Sequence, residues 1–167
     1  MVENKRARIV QRALEDAGLD CQVKELPDST RTVKDAARAV GCQPAQIAKS
    51  IVFMAAQSER PVLVVASGTN RISEALIEQE LGEAVVQASP KFVRETTGFA
   101  IGGVPPCGHV GEVILFIDQD LFSFDSIWLA AGTPNAVFVM SPNDLVSLTG
   151  GKVIAVVKKL NPEDSAS

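Results

Sequence analysis

The chain has 167 residues, of which 46% are hydrophobic and 22% charged, with a formal net charge of −4. That size and balance fit one globular domain with a sizeable core, expected over residues 1–160 with a polar tail at 161–167. The acidic sum argues against a broad, sequence-independent grip on nucleic acid, DNA included, because such a grip needs many Lys and Arg side chains on phosphates. A local contact with one end of an RNA stays open.

No apolar run reaches the roughly 18 residues that a membrane span needs, and Met1-Val2-Glu3-Asn4-Lys5-Arg6 opens a charged amphipathic stretch instead of a secretory apolar core. A cytoplasmic protein without a membrane partner is expected. Cys21, Cys42 and Cys107 contain no C-x-x-C pair, and His109 is the single histidine, so neither a disulfide framework nor a zinc site assembles. No metal or cofactor is expected.

In chain order, Ile9, Val10, Ala13, Leu14 and Ala17 follow helical spacing up to Gly18. Cys21 to Leu26 reads as a short strand. Thr32-Val33-Lys34-Asp35 resembles a helix-capping arrangement and opens a helix that closes at Gly41, after which Pro44 starts a further turn. Ser50 to Ala56 and Pro61 to Ala66 form a hairpin across Gln57-Ser58-Glu59-Arg60, with Lys49 at the mouth of its first strand. Ser73 to Leu81 and Pro90 to Thr96 read as helices flanking an edge strand at Glu83 to Gln87.

Further strands are expected at Glu112 to Ile117, Ser126 to Ala130 and Ala136 to Met140. Ser141-Pro142-Asn143-Asp144 then caps a helix through Leu148, and Lys152 to Lys158 closes the sheet. Several connectors are too short for a parallel crossover, so the fold class is α+β, with a mixed, largely antiparallel sheet and short surrounding helices. A dinucleotide-binding fold is disfavoured, because the Gly102-Gly103 pair lacks G-x-G-x-x-G spacing and runs into Pro105-Pro106.

The candidate chemistry sits in two places. Lys49 lies among Ile47, Ala48, Ile51, Val52 and Phe53, a setting for a lysine whose stem covers apolar surface while its ammonium either reaches a cleft or simply snorkels to water. Gly102 and Gly103, within Thr97-Gly98-Phe99-Ala100-Ile101-Gly102-Gly103-Val104-Pro105-Pro106-Cys107-Gly108-His109, can aim backbone amides at a developing oxyanion or make a structural turn. Cys107 and His109 invite a thiol-imidazole reading, for which no third orienting group is visible. His109 fits a loop hydrogen bond or a substrate contact better.

Gly132-Thr133-Pro134-Asn135 makes either a second pocket wall or a plain turn. Asp118, Asp120 and Asp125 read as a solvated turn in preference to a magnesium site. Arg71, Lys91 and Arg94 are scattered surface charges unless the fold gathers them.

Together the blocks from about Thr32 to Val156 resemble the YbaK/EbsC family, also called the prolyl-tRNA synthetase associated domain. The resemblance runs through Thr32-Val33-Lys34-Asp35-Ala36-Ala37, Gln46-Ile47-Ala48-Lys49-Ser50-Ile51-Val52-Phe53, the glycine-proline loop, Ala131-Gly132-Thr133-Pro134-Asn135-Ala136 and Ser141-Pro142-Asn143-Asp144-Leu145. It implies an aminoacyl-tRNA deacylase that removes a mischarged small amino acid from a tRNA, commonly one for proline. Lys49 matches the family's functionally important lysine, and Gly102 with Pro106 matches its G-x-x-x-P element. The resemblance also implies hydrolysis by water or substrate groups without a protein nucleophile. The expected partners are the acceptor end of a mischarged tRNA and prolyl-tRNA synthetase. The expected substrate contacts are Gly102, Gly103, Val104, Pro106, His109, Gly132 and Thr133. The alternatives are a module that binds the aminoacyl-tRNA end without hydrolysing it, and a thiol hydrolase using Cys107.

Overall fold

Each α-helix begins on a side chain that satisfies a backbone N–H its first turn leaves free, a contribution of about 1 kcal/mol per helix. Asn4 accepts from Arg6 and Ala7 to start α1 (Lys5–Asp16), and Thr32 accepts from Asp35 to start α2 (Val33–Val40). Ser73, Ser89 and Ser141 do the same for α3 (Glu74–Leu81), α4 (Pro90–Thr97) and α5 (Pro142–Thr149). The computed structural model describes residues 2–157.

The strands are β1 (Lys24–Glu25), β2 (Ile47–Ala55), β3 (Pro61–Ser67), β4 (Val85–Gln87), β5 (Ile114–Asp118), β6 (Ile127–Ala130), β7 (Ala136–Met140) and β8 (Lys152–Ile154). They form one sheet in the order β1-β7-β6-β2-β3-β5-β8, with β4 also paired to β2. The pairings β1·β7, β2·β3, β2·β4 and β6·β7 are antiparallel, while β2·β6, β3·β5 and β5·β8 are parallel. The sheet is therefore mixed with an antiparallel majority, as the short connectors require.

Alternation along β2 and β3 divides the apolar residues between two faces. Ala48, Val52, Leu63 and Val65 pack with α1, α4 and α5 through Val10, Leu14, Val93 and Leu145. Phe53, Val62, Val64 and Ala66 pack with Ile77 of α3 on the other side. α2 makes a separate contact, Ala36 and Ala37 against Ile47 and half-buried Trp128.

The feature that matters for function is a split beside β2. Parallel pairing with β6 covers only Ile47↔Trp128 and Ala48↔Leu129. On the same strand, pairing with β4 begins at Phe53↔Gln87. Between them, positions 49–52 have neither β6 nor β4 in register, and the sheet opens into a crevice.

Several elements differ from the expected bounds. Only Lys24–Glu25 of the expected Cys21 to Leu26 strand joins the sheet. The preceding backbone is held by a helix side chain, since Gln11 Nε2 donates to Cys21 O (3.0 Å) and Val23 N donates to Gln11 Oε1 (2.8 Å). β2 starts three residues earlier than expected, which moves Lys49 from the strand mouth into the strand. β8 is short because Val156 O turns away to accept from Ser73 N (2.7 Å); Lys158 and the polar tail lie outside the described residues. The acidic turn is also not solvated throughout: Asp118 is fully buried, whereas Asp120 and Asp125 are exposed.

Candidate active site

The crevice widens into a cavity of about 260 Å³, close to the lower end of the roughly 300–1,000 Å³ common for small-molecule sites. Its walls come from the residues entering α2, from β2 at Ile47 to Ile51, from the turn around Gly102, and from β6 with Trp128 and Ala130. Most of this surface is apolar. Arg31 and Lys49 are the only charged side chains on it among the described residues, and no carboxylate lines it.

Lys49 Nζ donates to Gly68 O at 3.5 Å. Burial pushes its ammonium below the ordinary lysine range, and the Asp118 carboxylate draws it partly back. Asp118 also builds the turn that carries Gly68. Its Oδ2 accepts from Ser67 N (2.9 Å) and Asn70 Nδ2 (2.8 Å), and its Oδ1 accepts from Asp120 N (2.9 Å). Ser67 Oγ in turn donates to Ala45 O at 2.7 Å, tying this turn to the segment leading into β2. Ser50 Oγ is buried without a hydrogen-bond partner among the described residues, and Ser50 lines the same cavity.

The glycine loop reaches the cavity through Gly102 and Val104. Gly102 has φ 95°, a conformation that costs glycine little and an L side chain much. Gly103 N donates to Ala100 O at 3.0 Å, so its amide is spent inside the turn. Gly103 is instead a packing point: a β-carbon there would lie 2.9 Å from Thr133 backbone atoms. Gly132 N donates to Gly103 O (2.9 Å), which locks the two loops together.

Of the expected substrate contacts, Gly102 and Val104 line the cavity, while Gly103, Pro106, His109, Gly132 and Thr133 stand behind its wall. They hold its wall. Pro106 and Thr133 are buried, and Thr133 Oγ1 bonds Asn135 Oδ1 (3.0 Å). His109 Nε2 bonds Pro105 O (2.7 Å), with its ring edge-on to buried Phe99. Burial lowers its pKa, partly offset by the Pro105 carbonyl, so the imidazole is neutral at neutral pH.

Cys107 lies away from the cavity wall, and its thiol is pushed up to about 12, first by burial and then by Cys21. A nucleophilic cysteine needs the opposite shift. Among the described residues no group of three His, Cys, Asp or Glu side chains could hold a metal ion.

Sequence reading missed Arg31, Ser50, Gly68 and the buried role of Asp118. Arg31 directly precedes the Thr32 cap and Ser50 follows Lys49, so adjacency was the available signal. Gly68 carried none and Asp118 only its place in an acidic cluster, because their partners are distant in sequence.

Fold and cavity together define a class: an α+β protein with a small apolar cleft, walled by a lysine strand and a glycine turn. The chain belongs to the aminoacyl-tRNA editing domain family, whose model matches residues 27–148. Its class of activity is aminoacyl-tRNA deacylation, the hydrolysis of an ester on tRNA. It is 32% identical over 131 residues to the uncharacterized protein YwhH of Bacillus subtilis, covering 78% of this chain and 83% of that one. A proline–tRNA ligase of Limosilactobacillus fermentum is 30% identical over 112 residues, which are 65% of this chain but 20% of the ligase. The crystal structure of a candidate trans-editing enzyme for prolyl-tRNA synthetase superimposes with TM-score 0.89 at 43% identity, covering 95% of this chain and all of that one. No helix among the described residues is long and apolar enough to cross a membrane.

Proposed function

We propose that this protein edits in trans, in the cytoplasm, hydrolysing the ester between a mischarged small amino acid and the terminal adenosine of a tRNA for proline. The observation that carries the reading is that Lys49 and Gly102, about fifty positions apart in the chain, line one cavity. The similarity to part of a proline–tRNA ligase and to a candidate trans-editing enzyme supports the choice of carrier and of prolyl-tRNA synthetase as a partner.

In this mechanism the Lys49 ammonium holds the terminal nucleotide by its ribose or phosphate. Water, or a group of the substrate, adds to the ester carbonyl. The Gly102 N–H faces the oxygen that becomes negative, since the Gly103 N–H is already bonded to Ala100 O. Collapse breaks the bond to the ribose oxygen, which takes a proton, and releases the free amino acid. A cavity of about 260 Å³ suits a small acyl group, and one methylene changes selectivity by only about 10–200-fold, which is why a synthetase gains from a second sieve.

Deacylation of a panel of mischarged tRNAs tests the reading. Lys49→Ala is expected to lose about 10²-fold or more in rate while melting like the wild type. Equal rates would refute the assignment of Lys49, and tight binding by the wild type without turnover would show a binding module instead.

A further inference from the structure

We propose that Arg31 forms a phosphate subsite at the cavity mouth, receiving the phosphate on the 5′ side of the terminal adenosine. This assignment rests on the deacylase reading and deepens it, because it separates the two cations by task. Arg31 and Lys49 alone supply charge to this wall, the nearest opposing carboxylate being Asp118, which acts on Lys49 from behind it, on a chain whose net charge is −4. Arg31, the cation of this wall that Asp118 does not act on, is thus the point at which an anion is drawn to a molecule that is negative as a whole.

The two cations sit in different surroundings. Lys49 is half-buried, its ammonium on the Gly68 carbonyl. Arg31 is exposed, and among the described residues it enters no ion pair and its guanidinium makes no hydrogen bond. Seating a phosphate is least costly where water still reaches it, whereas the small apolar side chain of the aminoacyl group loses little on entering the apolar interior. The guanidinium fork also matches phosphate oxygens in pairs, which a lysine point charge does not.

Arg31 is mounted, not loose. Its backbone N–H donates to Ser29 Oγ (3.2 Å), and neighbouring Thr30 Oγ1 donates to Pro134 O (2.8 Å). Its side chain lies across the glycine turn: a β-carbon on Gly102 would sit 2.9 Å from Arg31 Cγ and 3.3 Å from Nε. Gly102 thus has a second reason to lack a side chain, since it seats the stem that holds the guanidinium over the mouth. A phosphate there leaves the attached ribose and its acyl ester directed inward toward Lys49 and Ser50.

The test compares three esters of one amino acid: the aminoacyl-tRNA, the aminoacyl ester of adenosine 5′-monophosphate, and the aminoacyl ester of adenosine without phosphate. Arg31→Ala is expected to raise KM about 10-fold on the two phosphate-bearing esters, with the loss in KM and not in kcat. The ratio of wild type to variant should collapse toward one on the phosphate-free ester. Arg31→Lys should recover part of the loss, and the dependence of log affinity on log salt should fall by about 0.7 in Arg31→Ala, the value of one single-strand phosphate contact. An equal loss on all three esters, or no loss on any, overturns the subsite. Wild-type turnover tests the deacylase reading separately. Binding of nonhydrolysable amide analogues, with and without the 5′-phosphate, tests Arg31 whether or not turnover is seen: a phosphate preference that Arg31→Ala does not reduce also overturns it.

Discussion

Gly68→Ala tests whether the turn beneath Lys49 is as tightly built as the contacts state. A β-carbon at Gly68 would lie 2.6 Å from Val33 Cγ1 and 3.1 Å from Ile47 O, with the Pro44 carbonyl oxygen closer still. Two of these three obstacles are backbone carbonyls beside the start of β2, so they do not rotate out of the way. Overpacking costs about 1–3 kcal/mol in general, and rigid neighbours put this site at about 3 kcal/mol. For a chain of this size each kcal/mol lowers Tm by about 2–4 °C, so a fall of about 6–12 °C is expected by calorimetry.

The turn that moves is the one whose carbonyl accepts from Lys49 Nζ. A displacement near 1 Å at a positioning group costs about 10²-fold in rate, so deacylation should drop beyond what the lost stability explains at a temperature where the variant is folded. Adding Val33→Ala removes the contact with Val33 Cγ1 but neither carbonyl, and should restore only part of the Tm. A Gly68→Ala protein that melts within a degree of the wild type and retains its rate would refute the packing argument and the route from this turn to Lys49.

Cys107→Ser should keep wild-type deacylation at neutral pH, because a thiol pushed up to about 12 is protonated there and lies off the cavity wall; loss of turnover in a folded variant would restore the thiol mechanism. His109 carries a pH dependence of stability. Its folded pKa is lowered below the ordinary 6.5, so on acidification the unfolded chain binds a proton first and stability is lost as pH falls below that value. The wild type should therefore lose Tm between pH 7 and pH 5 more steeply than His109→Gln, which keeps a donor for Pro105 O. Parallel curves would show that His109 does not titrate with folding. The alkaline limb of deacylation should lie below the ordinary lysine value of 10.5, since burial lowers Lys49, and an unshifted limb would mean that the ammonium is not what the reaction senses.

The candidate site was legible in part, where its chemistry is local. Lys49 in its apolar strand and Gly102 in its stiff loop each left a functional and a structural reading open, and the resemblance to the family chose between them. Gly103, Gly132 and Thr133 were legible as special, but their packing of two loops against each other was not, because a glycine that lets two loops touch and a glycine that admits a substrate look alike in sequence. His109 posed the same ambiguity, and in the fold its Nε2 is bonded to Pro105 O.

The starts of α2 to α5, the hairpin around Glu59 and the apolar periodicity followed from the chain alone, because caps, turns and side-chain periodicity depend on neighbours a few positions apart. Which strands meet did not. That β2 runs beside β6 for only two residues, with α2 packed on that pair and β4 joining further along, is seen only in the assembled sheet. The same holds for Arg31 resting on Gly102 and for Asp118 reaching Ser67 and Asn70, contacts between residues 71, 51 and 48 positions apart. Such juxtapositions come from the lowest free energy of the whole core, and no local propensity carries them.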